Sequence, residues 1–345
     1  MFLLRILLFP FSGLYFLITE LRNKLYDQGL KPSVKFDLPV ICVGNLTVGG
    51  TGKTPMIEHL IRLLYPHYKL ATLSRGYGRS TKGIRIGADD DNASTLGDEP
   101  YQFYTKFSKY ITVAVGEERA LAIPTIVSER PETQVILLDD GFQHRRVRPG
   151  FSILLSDYHR PFYKDLLLPS GRLRESRWSA NRADVIVVTK CPPEIVEDEM
   201  IEIEKSIRQY AEKPVFFTNI RYGTPMPFHK SANTAGHDII LVSGIGNVTP
   251  LVNYVKHNFN LVEHLEFNDH HHYTENDIDS LIELSKAHPG ISFITTEKDK
   301  MKLDAAAFQN KLSTLSIFYL PIEVDFIKGG KDFDDIVLNV VKGQL

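Results

Sequence analysis

Strand-length apolar runs recur along the chain, each followed by a glycine-bearing turn or a stretch with helical spacing. Between residues 39 and about 220 the runs are Val40–Val43, Lys69–Ser74, Ile111–Val115, Gln134–Asp139, Phe151–Ser156 and Asp184–Lys190. They are unbroken rather than alternating, as in strands buried on both faces of a parallel sheet. With helical stretches at about Met56–Leu64, Tyr101–Phe107 and after Gly116, they predict a doubly wound α/β sheet. The pattern restarts near Gly236 with a strand at Asp238–Ser243, a helix at Thr249–His257, and strands at Ile291–Thr296 and Phe318–Phe326. A second, smaller α/β part is therefore expected. Gly223, Pro225, Pro227 and Gly236 mark a boundary and hinge, dividing 31–225 from 226–345.

Residues 1–30 break the pattern. From Phe2 to Ile18 the only charge is Arg5; charges return at Glu20, Arg22, Lys24 and Asp27. No small-residue cleavage site follows, so a signal peptide is not indicated. A spanning helix needs about 20 apolar residues, and Pro10 interrupts a run that is already short. The expectation is an interfacial helix or hairpin entering one leaflet, with Phe2, Phe9, Phe11, Tyr15 and Phe16 at the boundary. The competing reading is a terminal helix packed on the protein's own core.

Composition adds little to this. The 345 residues are 43% hydrophobic and 24% charged, ordinary for a globular protein. A net charge of −2 argues against a general nucleic-acid binder, which needs a basic excess. The two cysteines, Cys42 and Cys191, lie in or just after apolar runs and read as buried thiols of a reducing compartment. No zinc-ligand spacing occurs.

The candidate chemistry centres on Val40–Pro55. An apolar strand runs into a loop bearing Gly44, Gly49, Gly50 and Gly52, then Lys53, Thr54 and a helix. Strand, glycine loop, Gly-Lys-Thr and helix form a phosphate-binding loop. Glycines let successive backbone N–H groups face one anion, and the helix N-terminus adds partial positive charge. Thr47, Val48, Gly49, Gly50, Thr51, Gly52, Lys53 and Thr54 are the candidate residues for binding a nucleoside triphosphate, with the Thr54 hydroxyl on Mg²⁺. The strict pattern has glycine where this chain has Thr47, so Gly49 and Gly50 must make the turn. The run Val135–Asp139 ends in a carboxylate at a strand's C-terminal end, where Asp139 would hold Mg²⁺. Asp140, Gln143, His144, Arg145 and Arg146 join that edge. Asp98 and Glu99 sit where a helix cap alone would explain them. Consecutive histidines 270–272 cannot all face one metal, but one of them beside a carboxylate suits acid–base work.

Collected in order, these stretches resemble the tetraacyldisaccharide 4′-kinase family of lipid A synthesis. The resemblance covers nearly the whole chain. It rests on the apolar N-terminus, Gly44–Pro55, Ser74–Arg79, Gly97–Pro100, Gly116–Arg119, Asp139–His144, Leu168–Glu175 and Phe267–His270. The family's phosphate loop shares the departure at Thr47. The resemblance implies transfer of the γ-phosphoryl of ATP, with Mg²⁺, to the 4′-hydroxyl of a tetraacyldisaccharide 1-phosphate. It implies Lys53 and Thr54 on phosphate and metal, and Glu99, Asp139 and Asp140 in the metal shell. Asp98 would be the general base with His270 as partner, chosen because His270 directly follows Asp269. Arg119, Gln143, His144 and Arg172 would contact the anionic acceptor. It implies a peripheral or monotopic enzyme on the cytoplasmic face of the inner membrane. The alternatives are a P-loop switch NTPase that regulates a partner protein, and a P-loop kinase for a soluble metabolite.

Overall fold

The computed structural model describes residues 2–229, 234–269, 271–304 and 307–345, with side chains from residue 7 onward. The first half of the chain alternates strand and helix. In order it forms α1 (Phe2–Asp27), β1 (Val40–Asn45), α2 (Lys53–Leu64), β2 (Leu70–Ser74), β3 (Arg85–Ile86), α3 (Ala93–Leu96) and α4 (Asp98–Phe107). Next come β4 (Ile111–Val115), α5 (Arg119–Glu129), β5 (Val135–Asp139), β6 (Phe151–Asp157), β7 (Val185–Thr189), α6 (Glu197–Arg208) and β8 (Val215–Tyr222). The remainder forms β9 (Met226–Pro227), β10 (Asp238–Ser243), α7 (Thr249–Asn258), β11 (Asn260–Glu266), α8 (Glu275–Ala287) and β12 (Ser292–Thr296). It ends with α9 (Glu297–Leu303), α10 (Gln309–Leu312), β13 (Ile317–Leu320), β14 (Ile322–Lys328) and α11 (Gly330–Gln344).

Two sheets result: a nine-stranded one ordered β14-β8-β7-β6-β1-β5-β2-β4-β3 and a five-stranded one ordered β11-β10-β12-β13-β9. In the larger sheet β8, β7, β6, β1, β5, β2 and β4 run parallel. Only the edge strands β14 and β3 are antiparallel. β1 is buried along its whole length, as its unbroken apolar run requires. Alternate residues feed opposite faces. Ile41 and Val43 pack with Met56, Ile57 and Leu60 of α2 and Phe333 and Val337 of α11. Val40 and Cys42 pack with Ala122, Ile123 and Ile126 of α5.

Sequence reasoning read Phe318–Phe326 as one strand, and the structure corrects this. The chain breaks at Pro321, which has no N–H to continue a ladder. Leu320 pairs with Thr296 in the small sheet, whereas Ile322 pairs with Tyr222 in the large one. The segment 226–345 thus contributes to both sheets. A second connection crosses at the same place, from Tyr222 through Gly223, whose N–H donates to Pro321 O at 2.8 Å, to Met226 in the small sheet.

Between the sheets, the Lys106 ammonium of α4 donates to Glu58 Oε2 of α2 (2.6 Å) and to Glu297 Oε1 of α9 (2.7 Å). Glu58 and Glu297 are both buried. A buried carboxylate is tolerated only when paired, so this lysine makes the two helices of different sheets mutually dependent.

The N-terminus is one continuous helix that passes through Pro10, not a hairpin. Its polarity is inverted. Ser12, Thr19 and Asn23 are buried against the protein. Ser12 Oγ donates to Leu167 O at 3.0 Å and Tyr15 Oη to Arg174 O at 2.9 Å. Leu7, Phe11, Leu14, Leu17, Ile18 and Leu21 point outward, each at least 58% exposed. The reading of α1 as a helix that buries its apolar side in the protein's own core therefore fails. Among the described residues no helix is long and apolar enough to cross a membrane.

Gly44 touches Phe142 closely: a Cβ at residue 44 would lie 2.6 Å from Phe142 Cβ and 3.0 Å from its backbone nitrogen. Overpacking of this kind costs about 1–3 kcal/mol. Gly44→Ala is expected to lower the melting temperature by several degrees, measured by calorimetry, although residue 44 has ordinary strand geometry.

Candidate active site

All parallel strands of the large sheet end at one edge, and that edge carries the polar residues. β1 stops at Asn45, whose side-chain amide donates to Thr47 O at 2.8 Å and shapes the turn. Gly49 and Gly52 adopt positive φ (110° and 83°), a backbone conformation that favours glycine. The loop residues Thr47, Val48, Gly49, Gly50, Thr51 and Gly52 then lead into α2, which places Lys53 and Thr54 in its first turn. Two neighbours hold the loop from outside. Thr189 Oγ1, at the end of β7, donates to Thr51 O at 2.9 Å. Lys190 donates to Gly50 O and pairs with Asp157 at 2.8 Å. The turn after Leu167 holds it from the other side, with Val48 N donating to Arg172 O at 2.8 Å.

Lys53 Nζ lies 3.4 Å from Asn45 Oδ1 and 3.8 Å from Asp140 Oδ1. The two aspartates at the end of β5 have unlike environments. Asp140 receives both guanidinium nitrogens of Arg174, at 3.1 and 2.8 Å, and Arg174 also donates to Asn45. Burial raises the Asp140 pKa, but Lys53 and Arg174 outweigh it and hold the carboxyl below its ordinary value. Asp139 is buried; Ser74 Oγ donates to its Oδ2 at 3.1 Å, and its Oδ1 has no hydrogen-bond partner among the described residues. Burial pushes its pKa up to about 6, Lys53 opposes the rise, and Asp140 and Glu99 add to it.

The other candidates line the same region. Arg119, the first residue of α5, is buried, and one guanidinium nitrogen donates to Glu117 O at 3.1 Å. Burial lowers its pKa, and the Asp139 charge raises it. Burial and then Arg119 push the His144 pKa down to about 4, so this imidazole is neutral at pH 7. The Gln143 side-chain amide donates to Asn45 O at 2.8 Å, while its backbone carbonyl accepts from Arg22 of α1. The Arg172 side chain is exposed beside the loop.

Asp98 and Glu99 open α4 behind Gly97, and both meet lysines from α9. Lys302 lies 3.7 Å from Asp98 Oδ2, and Lys298 lies 3.8 Å from Glu99 Oε1 and 3.7 Å from Asp269 Oδ1. The N-cap of α4 is Gly97 and no side chain caps it, so these carboxylates complement the helix dipole from the first turn while their charges face the second sheet. His270 lies outside the described residues. His271 pairs with Asp277 at 3.0 Å and stacks on Phe267 at 4.5 Å, packing against the start of α8. Sequence reasoning left Ser74, Arg174, Lys190, Lys298 and Lys302 out of the candidate site. In the sequence Arg174 lies two residues after Arg172 and Lys298 directly follows Glu297, but nothing in the linear pattern pairs them with their carboxylates.

A profile of the tetraacyldisaccharide-1-P 4′-kinase family matches residues 4–342. The chain belongs to the tetraacyldisaccharide 4′-kinase family. It is 44% identical to the tetraacyldisaccharide 4′-kinase of Flavobacterium johnsoniae, over 99% of both chains. It is 41% identical to that of Bacteroides thetaiotaomicron, over 97% of this chain and 93% of the relative. The crystal structure of LpxK from Aquifex aeolicus, an "apo" form in complex with ATP, superposes with a TM-score of 0.77 at 28% identity. That alignment covers 98% of this chain and 99% of the other. Membership makes the protein a phosphotransferase and sets aside the switch NTPase. The 4′-kinase fold is the P-loop α/β architecture expected from the sequence.

An acid whose pKa rises on folding favours the folded state while protonated. For Asp139 that contribution is complete below its ordinary 3.8 and is lost as the pH rises through about 6. Asp139→Asn is therefore expected to melt higher than the parent at neutral pH without nucleotide, with the advantage shrinking toward about pH 4. Thermal melts at the two pH values measure this, and an unchanged or lower midpoint at neutral pH contradicts it.

Proposed function

We propose that the protein transfers the γ-phosphoryl group of ATP to the 4′-hydroxyl of a tetraacyldisaccharide 1-phosphate in lipid A synthesis. The observation that carries the reading is the buried Asp139 carboxylate, one oxygen unpartnered among the described residues, at the edge where the glycine loop presents Lys53. No three or more histidine, cysteine, aspartate or glutamate groups form a self-sufficient metal cage among the described residues. Mg²⁺ that arrives with a nucleotide needs none, since one or two carboxylates and the phosphates complete its shell. Asp139 and the Thr54 hydroxyl fit that need best, with Glu99 nearby. Asp140, already gripped by Arg174, serves better to position Lys53. Held there by Asp139 and Thr54, Mg²⁺ would supply charge neutralisation for the nucleotide's phosphates.

The loop N–H groups of residues 48–54 and the start of α2 cradle the phosphates, and Lys53 stabilises charge on the transferred group. A sugar hydroxyl is a weak nucleophile at pH 7, so Asp98 accepts its proton as the bond to phosphorus forms. His270 enters this proposal as the partner of Asp98, on the family's Phe-x-Asp-His pattern alone. Arg119, the neutral His144, Gln143 and Arg172 receive the acceptor; a planar guanidinium suits its 1-phosphate. The inverted α1 supports binding at the membrane surface. Its outward leucines, isoleucine and phenylalanine are costly in water and favourable in an acyl layer. We place it on the cytoplasmic face of the inner membrane, where ATP and the nascent lipid meet.

The test incubates purified protein with γ-labelled ATP, Mg²⁺ and detergent-dispersed tetraacyldisaccharide 1-phosphate. Label should enter the lipid, and Asp98→Ala should lose about 10²–10⁴ of the rate while still binding ATP. Label released only as free phosphate would sink the reaction, and near wild-type transfer by Asp98→Ala would sink the base.

The outward face of α1 makes a separate prediction. Leu14→Glu with Leu17→Glu should cut co-sedimentation with phospholipid vesicles by more than about tenfold, since each buried leucine contributes ~1.5–3 kcal/mol. The melting temperature should not move, because neither side chain packs on the protein.

A further inference from the structure

The second sheet sends a buried cation to the residue proposed as the base. α9 follows β12 without a loop, and Thr296 Oγ1 caps it by accepting from Asp299 N at 3.0 Å. On this helix Lys302 is buried, with only 5% of its side chain exposed. Its ammonium has no hydrogen-bond partner among the described residues. Two carboxylates flank it, Asp98 Oδ2 at 3.7 Å and Asp299 Oδ1 at 3.9 Å.

The two carboxylates are held differently. Asp299 is fully buried and hydrogen-bonded: its Oδ2 accepts from Gly244 N at 3.0 Å and from Thr296 Oγ1 at 2.7 Å. Oδ1 faces the lysine, and the Tyr273 hydroxyl also lies beside this carboxylate. Asp98 is partly exposed and stands at the first position of α4, in the large sheet's domain. A desolvated ammonium is unfavourable unless its charge is matched, so its burial needs a reason beyond packing. Its position supplies one: anchored on Asp299, it reaches across to Asp98.

We propose that Lys302 is a positioning residue for phosphoryl transfer. Its ammonium, fixed by Asp299, holds the Asp98 carboxylate in the orientation that meets the acceptor hydroxyl. The proposal rests on Asp98 as the base. It gives α9 a role in the reaction although that helix carries no loop residue, and it ties the base to the seating of the second sheet on α4.

The test is a double-mutant cycle on the full-length protein, with kcat, both KM values, the thermal shift on adding nucleotide, and the melting temperature. Lys302→Met should lower kcat by about 10²-fold, the cost of misplacing a reacting group by about 1 Å, with KM for ATP and the nucleotide shift unchanged. Lys302→Arg, which keeps the charge, should recover most of the rate. In an Asp98→Ala background Lys302→Met should cost little more, because the group it positions is gone. Lys302→Gln, with a hydrogen-bonding head and no charge, carries the same expectation if the methionine variant does not fold. Normal kcat in both neutral variants, losses that multiply with Asp98→Ala, or a lost nucleotide shift would each overturn the proposal. The outcomes separate the two ideas. An inactive Asp98→Ala beside a fully active Lys302→Met removes only the lysine's role, whereas an active Asp98→Ala removes the base itself.

Discussion

Backbone amides can wrap an anion only where they are free of other partners, and the junction of a strand with a helix provides such a place. Here β1 makes that junction at the centre of the large sheet, between β5 and β6. The pairing of Val43 with Asp139 sets the consequence: it puts the acidic end of β5 beside the glycine loop. Lys53, Asp139 and Asp140 meet because two parallel strands share a register. The buried charge of Asp139 is uncomfortable without a cation, which is the state expected of a group whose partner arrives with the substrate.

Around this edge partly buried cations serve positioning. Arg174 locks Asp140 and Asn45, so the carboxylate nearest Lys53 stays ionised and fixed. Lys190 ties the loop to β6 and β7 through Gly50 and Asp157. Lys106 binds α2, α4 and α9 through two buried glutamates. Each contact crosses between elements distant in sequence, and the one from Lys106 to Glu297 joins α4 to the helix that follows β12 of the small sheet.

The apolar helix α1 belongs to the same design. Its polar side is used by the protein: Ser12 and Tyr15 hold the turn that carries Arg172 and Arg174, and Arg22 reaches Gln143. The surface proposed to meet the membrane is thus bolted directly to the residues proposed to meet the acceptor. On that proposal a lipid with four acyl chains would stay in its leaflet while its sugar enters the site.

The sequence by itself determined the local chemistry. Unbroken apolar runs announced the buried parallel strands, because a strand covered on both faces has no polar side. Gly49, Gly52, Lys53 and Thr54 announced a turn from strand to helix, because positive φ at Gly49 and Gly52 needs glycine's backbone freedom. The apolar N-terminus announced a surface needing an apolar partner, though not that Ser12, Thr19 and Asn23 face inward. Tertiary structure alone decided which charges meet. No periodicity pairs Arg174 with Asp140, Ser74 with Asp139 or Lys302 with Asp98, since these contacts follow from strand order and helix packing. Nor did the apolar run Phe318–Phe326 reveal that Pro321 divides it between two sheets. An apolar run records burial and says nothing of which neighbour provides it.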